Sequence, residues 1–408
     1  MMFLNSRHNS PLGTLSIVTP FIASVSLNNN LPLPLRKKRV LLIDQLPKAK
    51  DIKGWKMVLL RKKGLNGMTE NCENVWELAP ELEYLDEGDV IKISPEKNDI
   101  HVLYRRKANT NAFLVTEQCN SYCVMCSQPP KKVDDHYLVE DMLEALPLIE
   151  PNTKEVGITG GEPTLLGNDF FRLIQACKQH LPNTSLHVLS NGRKFDTFTF
   201  AQQVAEIRHP DLMIGIPLYA DYSQLHDFIV QADNAFDETI RGILNLKLFQ
   251  QKVEIRVVIH RQNYERLPKI AEFIARNLLF VDHVALMGME LMGFAKTNLE
   301  ALWIDPYDYR NELEEAVHIL DWYGMYVSIY NLPLCVINEN VRHFAIKSIS
   351  DWKNEYMPEC FGCSRVQDCG GFFNSASLRY SSHIIPMKME SDKHYPKHRE
   401  RFRSEYQH

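Results

Sequence analysis

The chain has 408 residues, and at about 150 residues per domain this length predicts two or three domains. Apolar residues make up 45% and charged residues 24% of the chain, which excludes collagen-like, coiled-coil and wholly disordered proteins. The 46 basic and 51 acidic residues give a net charge of −5, so the whole molecule should have no general attraction to nucleic acid or to an anionic membrane.

The nine cysteines are unusually placed, because six of them fall within residues 119–126 and 360–369. An odd number of cysteines in a chain of this length argues against a secreted disulfide scaffold. Ser, Thr and Pro interrupt the apolar stretch 12–23, so we predict no signal peptide. The sequence has no run of about 18 apolar residues, so we predict no membrane-spanning helix. We therefore expect a reduced, cytoplasmic protein whose clustered cysteines bind metal.

Residues 1–110 predict a small β-rich domain, in which short β-type runs are separated by Pro, Asn and Asp. Within it, residues 90–93 and 100–104 predict the two strands of a hairpin. From residue 111 onward, strand-like runs instead alternate with amphipathic stretches of helical spacing. The chain therefore changes its architecture near residue 110.

Residues 111–300 predict an α/β domain with six strands, each followed by a helix. The strands are expected at 112–116, 155–159, 185–189, 212–217, 253–259 and 281–287. Such a repeat forms a parallel sheet, which we interpret as a partial (βα)6 TIM-type barrel whose chemistry lies at the carboxyl ends of the strands. A helix at about 307–323 and a strand at 325–330 open a C-terminal cysteine region, 301–376, and residues 377–408 read as a tail of uncertain order.

The strongest motif is a C-x3-C-x2-C run, formed by Cys119, Cys123 and Cys126 directly after the first strand of the repeat. Thiolates on one tight loop suit an iron–sulfur cluster, and three of them leave one iron of a [4Fe–4S] cluster open. A zinc site and unliganded thiols are the alternatives, but zinc would need a fourth ligand, which the adjoining sequence does not supply.

This triplet resembles the signature of the radical S-adenosylmethionine (SAM) superfamily. The resemblance implies that the open iron binds the amino and carboxylate groups of SAM. It also implies reductive cleavage of SAM to methionine and a 5′-deoxyadenosyl radical, with the cofactor supplying the chemistry and the protein the placement. One departure is Met125, because the residue before the third cysteine is often aromatic in this superfamily.

Two glycine-containing turns follow the next strands. Gly160, Gly161 and Glu162 end the second strand, and Ser190 and Asn191 end the third. Taken alone, each is an ordinary turn between a strand and a helix. The resemblance instead implies that the first binds the methionyl ammonium of SAM and that the second contacts its ribose or methionyl group.

Arg256 is a single cation within the apolar run of the fifth strand. A charge there is costly unless it is paired, and its partner is either a cofactor carboxylate or a nearby acid such as Glu254. Tyr219, His226 and Asp227 follow the fourth strand and border the expected mouth of the barrel. A role at the start of a helix is favoured over substrate contact for most of these three, and no residue is assigned as catalytic.

The second cysteine group comprises four thiols, enough to close one metal site. Its members are Cys335, Cys360, Cys363 and Cys369. The C-x2-C-x5-C portion resembles the SPASM/twitch-like auxiliary-cluster extension of peptide-modifying radical SAM enzymes, although Phe373 stands where that extension usually has a further cysteine. One auxiliary [4Fe–4S] cluster is favoured, with structural zinc and unliganded thiols as alternatives.

Over about residues 85–375, these motifs together resemble the radical SAM maturase of the His-Xaa-Ser repeat peptide system. This resemblance implies a ribosomally synthesised peptide substrate, a partner radical SAM maturase, and an electron donor such as a flavodoxin or ferredoxin, with no nucleic-acid or membrane partner. The alternatives are a radical SAM enzyme that acts on a small metabolite or another protein, and a non-catalytic iron–sulfur or zinc protein.

Overall fold

The computed structural model describes residues 5–7, 9–12, 15–45, 53–61, 73–347 and 355–388. Within these residues the strands form two eight-stranded sheets. The first sheet belongs to the N-terminal part of the chain and is mixed. The second sheet is parallel throughout, and helices lie between its strands in the sequence.

The N-terminal sheet has the strand order β1-β8-β7-β3-β4-β5-β6-β2. Its elements are β1 (Asn5–Ser6), β2 (Ser10–Pro11), β3 (Phe21–Ser26), α1 (Leu33–Arg36), β4 (Arg39–Ile43), β5 (Val58–Leu60), β6 (Val75–Glu77), β7 (Val90–Ser94) and β8 (Asp99–Tyr104). The predicted hairpin is confirmed, because β7 and β8 pair antiparallel. The sequence did not indicate that β3, β4, β5 and β6 would run parallel to one another.

Both edges of this sheet are formed by one short segment, since β1 pairs with β8 and β2 pairs with β6. The side chain of Asn9 lies between the two edge strands. Its Nδ2 donates to Ser6 O at 2.7 Å and to Asn98 O at 3.1 Å, and its Oδ1 accepts from Ala79 N at 3.0 Å. The two ends of the sheet are thereby held together, which leaves little open edge for pairing with another chain.

The second sheet runs in chain order from β9 to β16. Its strands are β9 (Asn111–Leu114), β10 (Glu155–Thr159), β11 (Ser185–Leu189), β12 (Leu212–Pro217), β13 (Lys252–Ile259), β14 (His283–Gly288), β15 (Val327–Tyr330) and β16 (Ala345–Ile346). The six predicted strands are present as β9 to β14, so the α/β fold of a partial barrel is confirmed. The strand expected at 325–330 adds β15 to the same sheet, and β16, which was not expected, follows it.

Helices cover one face of this sheet. They are α2 (Tyr137–Ala145), α3 (Asn168–His180), α4 (Phe198–Glu206), α5 (Ser223–Val230), α6 (Ala235–Leu248), α7 (Leu267–Asn277), α8 (Gly293–Thr297), α9 (Leu299–Leu302) and α10 (Arg310–Trp322). In β13, Val253, Ile255 and Val257 are fully buried in this core. Because successive side chains of a strand point to opposite faces, Glu254 and Arg256 lie on the inner face of the sheet.

Polar contacts join the N-terminal part to the α/β part. Lys92 Nζ lies 2.5 Å from Asp141 Oδ2 on α2, and Tyr104 Oη lies 2.7 Å from Thr153 Oγ1. The boundary predicted at residue 110 falls between β8 and β9. In the part of the chain that the structure describes, no helix has both the length and the apolar character needed to cross a membrane.

Candidate functional site

Cys119, Cys123 and Cys126 lie on one loop that follows β9 at the carboxyl edge of the parallel sheet. A tight turn shapes this cysteine loop, residues 119–126, because Cys126 N donates to Cys123 O at 3.0 Å. The three thiols are close enough to influence one another electrostatically. The loop therefore brings three soft ligands to one place.

Burial disfavours the thiolate form of all three cysteines. It raises the pKa of Cys119 to about 11 and that of Cys123 to about 12, and it also raises the pKa of Cys126. A buried thiol of this kind becomes a ligand when a metal replaces its proton. Three such thiols on one loop match three irons of a cubane cluster and leave its fourth iron without a cysteine.

Two neighbouring helices hold the cysteine loop in place. Tyr122 N and Val124 N donate to backbone carbonyls at the end of α5, at 3.0 and 2.9 Å. On the other side, Phe294 N in α8 donates to Cys126 O at 2.8 Å, and Asn298 Nδ2 donates to Val124 O at 2.8 Å. The backbone of the loop is thus fixed independently of any bound metal.

The turn after β10 packs directly against the residues that lead into the cysteine loop. Gly161 N donates to Thr116 O at 2.8 Å, and Glu162 N donates to Gln118 O at 2.7 Å. A Cβ at Gly161 would lie 2.0 Å from Gln118 O, and a Cβ at Gly160 would lie 2.5 Å from Thr116 O. Only glycine allows this close approach at both positions.

The structure brings together three predicted site residues, but their polar groups bond mainly to one another. The fully buried carboxylate of Glu162 accepts from Ser190 Oγ at 2.8 Å and from Asn191 N at 2.6 Å, and its Oε1 also accepts from Thr164. Burial raises the pKa of Glu162 despite these hydrogen bonds. The side chain of Asn191 reaches the cysteine loop, where its Nδ2 donates to Asn120 Oδ1 at 2.6 Å.

Arg193 also belongs to the site, although the sequence analysis missed it. Its Nη1 donates to Asn120 O at 2.7 Å and to Ser121 Oγ at 3.2 Å, while its Nε pairs with Glu238 Oε2 at 2.5 Å. Its charge also favours the thiolate form of Cys123. Its position directly after the Asn191–Gly192 turn is the signal that could have identified it.

A second missed residue is Asp135, which lies just before α2 and is buried. Its carboxylate accepts from Thr116 Oγ1, from Glu117 N and, at 3.2 Å, from Gln118 Nε2. It therefore anchors the chain between β9 and the first cysteine. In the sequence, an acidic residue before a helix indicates only a helix start.

Arg256 lies on the inner face of the sheet and donates from Nη1 to Glu254 Oε1 at 2.5 Å. This is the internal ion pair that the sequence left open as the alternative to a cofactor contact. Val258, which lies two residues further along the same face of β13, packs against the apolar cluster that includes Met125 of the cysteine loop and Tyr219. This face of β13 therefore leads from Arg256 to the cysteine loop.

The other polar residues after β12 have structural contacts. The ring of His226 accepts a hydrogen bond at Nδ1 from Tyr219 N at 3.2 Å, and burial lowers the pKa of His226 to about 4. Asp227 Oδ1 accepts from Phe236 N at 2.8 Å in the first turn of α6. Asp227 thus supports the start of a helix, the kind of role that the sequence favoured for this group.

The four C-terminal cysteines line a single pocket. They are Cys335, Cys360, Cys363 and Cys369. Backbone amides point at their sulfurs: Leu334 N and Gly371 N each lie 3.4 Å from Cys369 Sγ, and Met387 N lies 3.4 Å from Cys363 Sγ. Amide hydrogen bonds to sulfur are a feature that stabilises cysteine-ligated clusters.

Residues 384–387 also line this pocket, although the sequence assigned them to a tail of uncertain order. Ser364 donates to Met387 O through its N at 2.9 Å and its Oγ at 2.8 Å. The ring of His383 stacks on Tyr307, with 4.0 Å between the ring centroids. Residues 389–408, the remainder of that tail, lie outside the described residues.

Among the residues that the structure describes, no set of three His, Cys, Asp or Glu side chains is arranged to hold a single metal ion. The ligands of a cubane each bind a different iron and therefore stand farther apart than the ligands of one ion. By donor type and number, three thiols fit an open cluster and four fit a closed one. Cys177 is buried in α3 away from both groups, and Cys72 lies outside the described residues.

The fold of this chain is similar to that of several solved structures. SuiB from Streptococcus suis bound to S-adenosylmethionine is similar, with 14% identity over 69% of this chain and 77% of that chain and a TM-score of 0.49. Native anSMEcpe with bound AdoMet is 15% identical over 68% of this chain and 92% of that chain, with a TM-score of 0.48. In SuiB bound to precursor peptide SuiA, the match has 17% identity and a TM-score of 0.43, and covers 56% of this chain and 50% of that chain.

A search of curated proteins returned no match. The match to a protein family covers residues 113–274, and the family is described as the Radical SAM superfamily. This range runs from β9 into α7 and includes the cysteine loop, the turn at Gly160 to Glu162, and Arg256. Similarity to the Radical SAM superfamily therefore extends over residues 113–274.

Proposed function

We propose that this protein is a radical SAM enzyme that cleaves S-adenosylmethionine and modifies a ribosomally synthesised peptide. The observation that carries the first part is the meeting of two loops at the carboxyl edge of one parallel sheet. Gly160 and Gly161 allow the turn after β10 to touch the residues leading into the cysteine loop. The cysteines that could hold a cluster thus lie beside a turn whose backbone could bind a small molecule.

In this proposal, Cys119, Cys123 and Cys126 hold a [4Fe–4S] cluster whose remaining iron binds SAM. When bound and reduced, this cluster supplies the electron that converts SAM to methionine and a 5′-deoxyadenosyl radical. The protein contributes rigidity, because α5 and α8 fix the loop backbone. It also contributes an apolar wall, because Met125 within the loop and Tyr219 beside it are buried in one cluster.

Several residues of the domain are proposed to bind SAM. The Glu162 carboxylate already accepts several hydrogen bonds within the chain. We therefore propose that it stabilises the conformation of the turn after β10. The methionyl ammonium is then met by the turn formed by Gly160 and Gly161. Ser190 and Asn191 complete the binding site for SAM next to this turn. Arg256 binds the methionyl carboxylate, because a guanidinium presents several donors to a carboxylate.

The C-terminal pocket is proposed to hold one auxiliary [4Fe–4S] cluster. Four thiols line this pocket, and amides of Leu334, Gly371 and Met387 approach two of the sulfurs. A cluster with four cysteines has no open iron, so its chemistry is limited to structure or electron transfer. Structural zinc is the alternative occupant. In either case the described cysteines are free thiols, in keeping with a reducing, cytoplasmic setting.

We further propose that the substrate is a peptide with His-Xaa-Ser repeats. The support is the sequence resemblance, which spans the cysteine loop, the turn after β10 and the Leu-Pro-Leu-Cys segment that ends at Cys335. The same resemblance supports a partner radical SAM maturase and a flavodoxin or ferredoxin as electron donor. A radical SAM enzyme acting on a small metabolite or another protein is the alternative.

The test is an anaerobic incubation of reconstituted protein with dithionite, SAM and a synthetic His-Xaa-Ser repeat peptide. We expect a mass change in the peptide that requires both SAM and reductant. The matched control is the same protein with Cys177→Ala, which removes a cysteine outside both groups and should leave the product unchanged. An unchanged peptide together with formation of 5′-deoxyadenosine would reject the peptide and keep the SAM chemistry.

A further inference from the structure

A chain of hydrogen bonds crosses three neighbouring strands on the inner face of the sheet and ends at Arg256. Ser328 Oγ lies 2.9 Å from His283 Nε2. His283 Nδ1 lies 2.7 Å from Glu254 Oε2, and Glu254 Oε1 accepts from Arg256 Nη1 at 2.5 Å. Ser328 of β15 and His283 of β14 are thus linked by hydrogen bonds to the ion pair in β13.

The direction of these hydrogen bonds follows from the acceptor at their centre. Burial opposes ionisation of Glu254, but the imidazoles of His187 and His283 and the charge of Arg256 outweigh it and hold the pKa of that carboxyl well below its usual range. A carboxylate can only accept hydrogen bonds, so His283 Nδ1 donates to it. His283 Nε2 is left to bond with the hydroxyl of Ser328.

The three residues behind Arg256 are immobilised by burial. Ser328, His283 and Glu254 are only 4%, 5% and 6% exposed, so they have little freedom to change rotamer. The side chain of Arg256 is 24% exposed. One end of the chain is therefore fixed inside the protein, and the other presents a guanidinium to the open space.

A glycine on the neighbouring strand makes room for the side chain of Arg256. A Cβ at Gly215 would lie 3.1 Å from Arg256 Cδ and 2.8 Å from His187 Nε2, so the glycine makes room for both side chains. Val258 lies two residues after Arg256 on the same face of β13 and packs against the apolar cluster that includes Met125 of the cysteine loop and Tyr219. Arg256 therefore lies directly before the part of β13 that packs beside the cysteine loop.

We propose that Ser328, His283 and Glu254 are positioning residues that aim the guanidinium of Arg256 at the methionyl carboxylate of SAM. This inference rests on the proposed function, because it assigns a device to the same site. It also gives β15 a role in the reaction, since β15 lies outside the family match at 113–274 and leads directly to Cys335. The strand that begins the auxiliary region would then help to bind SAM.

The test compares SAM with decarboxylated SAM, which lacks only the carboxylate. Binding of each to the anaerobically reconstituted protein is measured by calorimetry. The wild type should prefer SAM, and Arg256→Leu should lower that preference to the part that the carboxylate's contact with the iron supplies. His283→Leu should reduce the preference by roughly tenfold, which corresponds to about 1.4 kcal/mol. His283→Asn should restore part of it, because the Asn amide can replace Nδ1 as the donor to Glu254.

The matched control is Ser185→Ala, which removes a strand hydroxyl bonded to Asp211 rather than to His283. This change should leave the preference intact, whereas Ser328→Ala should weaken it in protein that retains its full iron content. Equal losses for both ligands, or no loss, in Ser328→Ala and His283→Leu would overturn the inference. Failure of the wild type to form 5′-deoxyadenosine would instead reject the proposed function.

Discussion

The two cysteine groups are built in different ways. Three cysteines at residues 119–126 share one loop, which α5 and α8 hold by its backbone. The other four come from segments separated in sequence, with Cys335 on one and residues 360–369 on the other, and amides approach their sulfurs directly. The first group is held through the backbone of one short loop, whereas the second is assembled around one pocket from segments that are distant in sequence.

In the proposed function, this difference corresponds to different chemistry. An open iron would need a neighbouring site for a small ligand, and the first group has the turn at Gly160 and Gly161 beside it. A closed cluster would need only protection, and residues 384–387 contribute to the lining of the second group's pocket. Hydrogen bonds to the sulfurs and solvent exclusion tune the potential of such a cluster. The contrast therefore predicts separable effects when either group is changed.

The largest effect is expected from changing Cys119, Cys123 and Cys126 together to Ala. No cluster with an open iron can then form, so production of 5′-deoxyadenosine should fall to background. Iron content should drop from about eight to about four atoms per chain, because the closed cluster remains. Iron analysis and a nucleoside assay measure the two effects. A loss of all iron would show that the two groups do not bind metal independently.

The converse change, Cys363→Ala with Cys369→Ala, should remove the auxiliary metal only. We expect iron to fall again to about four atoms per chain, while 5′-deoxyadenosine formation without peptide persists. Modification of the peptide should be lost if this cluster carries electrons. Retention of all the iron together with loss of one zinc would assign the pocket to structural zinc.

Replacing one glycine near each cysteine group tests how strongly each group depends on a close backbone contact. Gly161→Ala would place a Cβ 2.0 Å from Gln118 O, so the cysteine loop must shift, and we expect loss of iron from the first group with a cost of about 1–3 kcal/mol in unfolding free energy. Gly362→Ala meets nothing within 4 Å. Its backbone is left-handed, with a φ of +75°, so the unfolding free energy should fall by about 1 kcal/mol. The iron content should not change.

Urea unfolding and iron content of both glycine variants decide this point. Equal behaviour of the two variants would contradict the account, because it would mean that the contact between the turn and the cysteine loop does not matter. A larger iron loss in Gly362→Ala would reverse the assignment of which group depends on a tight backbone fit.

A smaller effect is expected from Arg193, which fixes the cysteine loop through Asn120 and Ser121. Arg193→Ala removes these hydrogen bonds and leaves Glu238 unpaired, so unfolding free energy should fall by about 1–2 kcal/mol. Iron in the first group should become easier to extract with a chelator. Arg193→Lys should recover only part of this, because a lysine cannot reproduce the forked geometry. Identical extraction rates for all three proteins would refute this role.

Much of the fold could be predicted from the sequence, because each strand of the parallel sheet is a short apolar run bounded by turn residues. The strands Glu155–Thr159, Ser185–Leu189 and Leu212–Pro217 end where the sequence placed them. The parallel arrangement of β3 to β6 could not be predicted, since pairing between distant short strands leaves no local pattern. The same holds for closure of that sheet by β1 and β2.

The sequence indicated the cysteines and the glycine turn of the candidate site, but not the residues that hold them in place. Cysteine spacing and a glycine pair are local signals, whereas Arg193 and Asp135 act through contacts that depend on tertiary structure. Arg256 shows the limit of such reasoning, because a cation in a strand requires a partner but does not reveal which one. The structure supplied Glu254, and behind it His283.

The most direct test of the central claim is the formation of 5′-deoxyadenosine from SAM. Protein reconstituted with iron and sulfide is reduced with dithionite under anaerobic conditions, and the nucleoside is measured by chromatography and mass spectrometry. The account predicts 5′-deoxyadenosine and methionine in equal amounts, and none from the variant without Cys119, Cys123 and Cys126. A fully loaded, reduced protein that leaves SAM intact would contradict it.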